Sequence, residues 1–104
     1  MISSTFSYAD GKLNKILVTG HANYKKHGED IVCAAVSASL IVTANAIEHL
    51  GLNRSIDLTV RDGYFQLILK EEEKTILGLL KNLEYTLTDL QKQYPNYMKN
   101  QKEG

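Results

Sequence analysis

The chain has 104 residues, enough for one domain with a real core and too few for two. Lysine plus arginine and aspartate plus glutamate number 12 each, so the formal net charge is zero. That balance leaves no broadly basic face for direct capture of nucleic acid. The single cysteine, Cys33, excludes an internal disulfide and cysteine-rich zinc sites, and three scattered histidines give no metal-ligand spacing.

Ile2, Ser4, Phe6 and Tyr8 alternate with Ser3, Thr5 and Ser7, the period-two pattern of a half-buried strand. Ala9-Asp10-Gly11-Lys12 supplies a hairpin turn, and Leu13 to Thr19 returns as a second strand. Gly20 to Glu29 is a long connection, a length that in compact domains is usually functional. Its flanking glycines, Gly20 and Gly28, suit the hinges of a lid over a bound peptide.

Asp30 to Leu50 reads as one helix of about 30 Å, with Gly51 as its C-cap. Apolar residues cover almost its whole circumference, so burial on most sides is expected. A domain this small needs help to bury such a helix, so part of the cover is expected from a second copy, in a homodimer. Ser37, Ser39, Thr43, Asn45 and Glu48 make it too polar for a membrane span. The N-terminus lacks a basic-then-apolar leader, and with the single thiol this reads as a cytoplasmic chain.

Ile56, Leu58 and Val60 alternate with polar residues in another half-buried strand. Asp62-Gly63 turns the chain, and Phe65, Leu67 and Leu69 carry the returning strand. Three acids, Glu71 to Glu73, then open a last helix from about Glu72 to Gln93. Its Ile76, Leu80, Leu83, Leu87, Leu90 and Tyr94 form an apolar seam at helical spacing. Tyr94-Pro95 stops it, and residues 95–104 read as a polar, frayed tail. The expected fold is a single α+β domain in the order ββαββα: two β-hairpins in an antiparallel sheet with two helices packed on it.

The chemistry concentrates in residues 20–37. Asp30 is a good N-cap, which sets Cys33 at the third helical position, where the helix dipole favours a thiolate. His21 stands at the other end of the loop, and a thiolate with an imidazole in reach is the minimal apparatus of a cysteine hydrolase. Asp30, Cys33 and Ser37 follow i, i+3, i+7 spacing and share one stripe, so Asp30 or Ser37 can hold the imidazole or a substrate group. Amides near Gly20 and Ala22, or those of the helix's first turn, are candidate oxyanion donors. His27 competes with His21 as base, and spacing does not rank them. Two non-hydrolytic readings compete as well. One is a non-catalytic dimeric binding module that escorts a partner protein; the other is a thiol redox sensor. None of these needs a cofactor.

Gly20-His21-Ala22, followed by a loop ending in Gly28-Glu29-Asp30-Ile31-Val32-Cys33-Ala34-Ala35-Val36-Ser37, resembles the ribosomal-processing cysteine protease family, Prp. The likeness in layout extends over nearly the whole chain. The resemblance implies a peptidase with Cys33 as nucleophile, His21 as base, and Asp30 and Ser37 in support. It implies as substrate the precursor of ribosomal protein L twenty-seven, cut after aromatic residues to remove a short N-terminal extension, and it implies a ribosomal protein as the partner of the escort module.

Overall fold

The computed structural model describes residues 1–20 and 29–104; of Glu29 and Asp30 it describes the backbone alone. Two hairpins are present as expected. Strands β1 (Ile2–Ala9) and β2 (Lys12–Thr19) form the first. Its two-residue turn uses Asp10 and Gly11, both at positive φ, which matches the twist of the flanking strands. Helix α1 (Glu29–His49) follows, closed by Gly51 at φ 74°. A short 3-10 turn leads into β3 (Ile56–Arg61) and β4 (Tyr64–Leu69), then α2 (Lys74–Gln93).

The sheet order is β3-β4-β2-β1-β5, where β5 (Met98–Glu103) is a strand that the sequence reading did not foresee. Residues 98–103 are not frayed: they pair in parallel with β1, from Ile2 opposite Met98 to Ser7 opposite Glu103. Met-Lys-Asn-Gln-Lys-Glu has no alternating apolar pattern, so no period-two signal betrays it. What holds it is backbone pairing with the free edge of β1, together with the buried Met98 and a hydrogen bond from Asn100 Nδ2 to the Leu87 carbonyl (3.0 Å). Parallel pairing is possible here because α2 supplies the long crossover that it requires.

Both helices bury one stripe in a single core. Ile76, Leu80, Leu83 and Leu87 of α2 are buried as their spacing predicts. They meet Phe6, Ile16 and Leu67 of the sheet and Val32, Val36 and Ile47 of α1. The three acids before α2 each have a partner, with Glu71 and Glu72 exposed. Glu73 caps the helix, its carboxylate accepting from the Ile76 N–H at 2.8 Å; Glu72 pairs with Lys12, and Glu71 accepts from Ser55. Tyr8 on β1 donates to Glu84 of α2, beside Lys102 of β5. Burial and then the Glu84 carboxylate push the Tyr8 hydroxyl up to about 12, so it remains a donor at neutral pH.

α1 departs most from expectation. Val32, Val36, Leu40, Thr43 and Ile47 are buried, one stripe along the helix. The opposite face is open: Ile31, Ile41 and Val42 are 59 %, 57 % and 67 % exposed. By length and composition Ile31–His49 is apolar enough to cross a membrane, yet its buried stripe is locked into the same core as the sheet. The apolar circumference therefore has two explanations, a core on one side and an uncovered face on the other. β3 departs in the same way. Ile56 is buried, but Leu58 and Val60 are not, because β3 is an edge strand that α1 does not roof over.

Candidate active site

α1 begins at Glu29, two residues earlier than a cap at Asp30 requires. Asp30 therefore lies inside the first turn, where an acidic residue still suits the positive end of the helix. Counting from Glu29, Cys33 is the fifth helical residue instead of the third. Its amide is thus already bonded within the helix, and the free N–H groups lie one turn earlier. Helical side chains tilt toward the N-terminus, so the Cys33 thiol leans back toward that turn.

Cys33 is a free, half-buried thiol. It lies in the wall of a groove of about 370 Å³ that runs between α1 and the β3–β4 hairpin. On α1 the wall continues through Ser37, Leu40 and Ala44, about one helical turn apart, with Ile41 next to Leu40. The facing wall is Leu58 and Val60 of β3, Phe65 of β4, and the Arg61–Tyr64 turn. The groove is thus mostly apolar, with polar groups gathered near the turn. There the Arg61 guanidinium lies over the Tyr64 ring, 4.4 Å from its centre, a cation–π contact that fixes the charge in place.

Gly20 lines the same groove. Its N–H donates to the Gly63 carbonyl at 3.0 Å, tying the end of β2 to the β3–β4 turn. Its φ of 91° is one that L side chains rarely adopt, and a Cβ there would collide with the Met1 carbonyl oxygen. Only glycine fits, so the chain leaves the sheet at a defined point in the wall of the Cys33 groove.

Three sequence-derived candidates therefore meet in one groove: Gly20, Cys33 and Ser37. Asp30 is placed by its backbone alone. His21, Ala22 and Gly28, with the rival His27, lie outside the described residues. The sequence reading missed the groove's second wall. Leu58 and Val60 read as ordinary core residues, and only the order of the sheet makes them rim residues of the site.

The family model for cysteine protease Prp matches residues 1–99. The chain belongs to this family. A ribosomal processing cysteine protease Prp from Bacillus subtilis is 43 % identical over 49 residues, 46 % of this chain and 44 % of that protein. The chain's matches span about half the length of its curated Prp relatives. Solved Prp structures correspond over more of the chain. The Staphylococcus aureus ribosomal processing protease Prp with a substrate peptide superposes with a TM-score of 0.88 at 26 % identity, covering 99 % of this chain and 100 % of that one. The same protease with a covalently linked product peptide gives a TM-score of 0.85 at 27 % identity, with coverage of 99 % and 100 %. That superposition covers nearly the whole five-stranded fold of this chain, the region of β5 included.

Proposed function

We propose that this chain is a cysteine endopeptidase that removes the N-terminal extension of a ribosomal protein precursor, that of L twenty-seven. The observation that carries the reading is the position of Cys33. The chain's one thiol opens into an apolar groove in a member of the Prp family. In this reading the Cys33 thiolate attacks the scissile carbonyl carbon, forming a C–S bond while the carbonyl electrons move to oxygen. Collapse of that intermediate breaks the C–N bond, and the His21 imidazolium gives its proton to the leaving amine. Water, deprotonated by His21, then hydrolyses the thioester and frees the thiol. Candidate oxyanion donors are the free amides of the first turn of α1 and those near Gly20 and Ala22. The covalently linked product peptide on the S. aureus relative supports such a covalent route. Ser37, one turn below Cys33 in the groove wall, and Asp30 are supporting residues for the imidazole or substrate.

The test is incubation with a synthetic peptide spanning the N-terminal extension of the precursor, followed by mass spectrometry. A single cut at the extension's boundary, with aromatic residues before it, is the expected result. An intact peptide after a long incubation at high enzyme concentration would overturn the reading.

The working unit of this reading is a homodimer in a reducing cytoplasm, with no direct contact to nucleic acid or membrane. The support is the open face of α1, where Ile31, Ala34, Ala38 and Val42 stand exposed in one protomer. Small residues between larger ones allow two such helices to approach closely. Covering each large side chain contributes on the order of 1–2 kcal/mol. Light scattering at micromolar concentration is expected to give twice the chain mass of 11.7 kDa, and Val42→Glu is expected to halve it. A wild-type monomer would refute the dimer.

A further inference from the structure

We propose that the free edge of β3 pairs with the backbone of the substrate, which lies in the groove as an added, extended strand; this rests on the peptidase reading above. Among the described residues the sheet ends in two edges, β3 and β5. The β5 edge carries Lys99, Lys102 and Glu103, charges of the kind that blunt an edge against pairing. The β3 edge carries Leu58 and Val60, 42 % and 62 % exposed, and has no such protection on that face.

The register says which backbone groups are free. Leu58 stands opposite Leu67, and Val60 opposite Phe65. The Lys70 N–H donates to the Ser55 carbonyl at 2.8 Å, in the same antiparallel series. Antiparallel pairs alternate between bonded and non-bonded positions, so residues 57, 59 and 61 bond to β4. Leu58 and Val60 then turn their N–H and C=O groups outward, while their side chains share the face of Leu67 and Phe65, toward α1. Both residues also line the Cys33 groove, so the unpaired backbone and the thiol border one continuous space. From Cys33 to Asn45 the groove follows α1 for about 18 Å. That length holds about five residues of extended peptide on one side of the cut. An extended peptide there gains main-chain bonds from the edge and sends alternate side chains into the apolar space, the general mode of strand addition.

The experiment uses the unmodified protein and a series of precursor peptides, each N-methylated at one successive residue. Pairing predicts a period-two pattern: alternate positions lose roughly tenfold in kcat/KM per blocked bond, and the positions between them lose little. Leu58→Pro removes an outward N–H and leaves the bonds to β4 intact, and proline is tolerated at an edge. It is expected to raise KM by a similar factor, with additional loss at one methylated position much smaller than the product of the two effects. A flat or aperiodic scan on a peptide that is cleaved would overturn the proposal. So would a Leu58→Pro protein whose mass in solution falls while its KM stays unchanged, since β3 would then join two copies of the chain. If the unmethylated peptide is not cut, the peptidase reading fails and the pairing with it.

Discussion

Cys33→Ala is expected to reduce cleavage of the precursor peptide by about 10⁴-fold or more, because no other group in the described groove can form the acyl intermediate. Ser37 is the nearest hydroxyl in the same wall, one turn away along α1. It does not substitute, because a serine needs its own aligned base and the tilt of the helix separates the two side chains by a turn. The fold should survive. Cys33 is half-buried, and the change removes one sulfur from a rim residue of the core, worth about 1 kcal/mol or less. Melting temperature and peptide binding, read by fluorescence anisotropy with the same labelled peptide, are therefore expected to persist while turnover is lost. Full function in Cys33→Ala would select the escort module. A Cys33 that is oxidised reversibly at low peroxide in a protein with no peptide turnover would select the redox sensor.

How much of this was legible depended on which force held each part. The α2 seam was fully readable, because Ile76, Leu80, Leu83 and Leu87 are held by side-chain burial at the helical period. The hairpins were readable for a similar reason, since Asp10-Gly11 and Asp62-Gly63 carry turn chemistry between alternating strands. β5 was not readable, because its stability comes from main-chain pairing with β1, and main-chain pairing leaves almost no mark on composition. α1 was half readable. Its composition demands cover, but a helix apolar all round does not say which face meets the sheet and which stays open. The site divides along the same line. Cys33 and Ser37 are local, fixed by one helix, and their shared stripe follows from spacing. The second wall is not local. Leu58 and Val60 become part of the site only because β3 ends the sheet and faces α1 across the groove.

The choice between the two histidines is the sharper test of the mechanism. His21→Ala is expected to lower kcat/KM by about 10²- to 10⁴-fold, the usual contribution of a positioned base, and His27→Ala by no more than about twofold. The argument starts from Gly20. Its bond to Gly63 and a φ that only glycine adopts here hold it in place, and it lines the groove that contains Cys33. His21 is the next residue in the chain, one Cα step of about 3.8 Å from Gly20. His27 lies six positions further along the chain, with five residues between it and His21. Added imidazole distinguishes a missing base from a damaged fold. Partial recovery of His21→Ala by millimolar imidazole, with unchanged KM, is expected only if the ring acts on the reacting groups. A loss confined to His27→Ala would transfer the base to that residue, and equal tolerance of both substitutions would remove the histidine from the mechanism altogether.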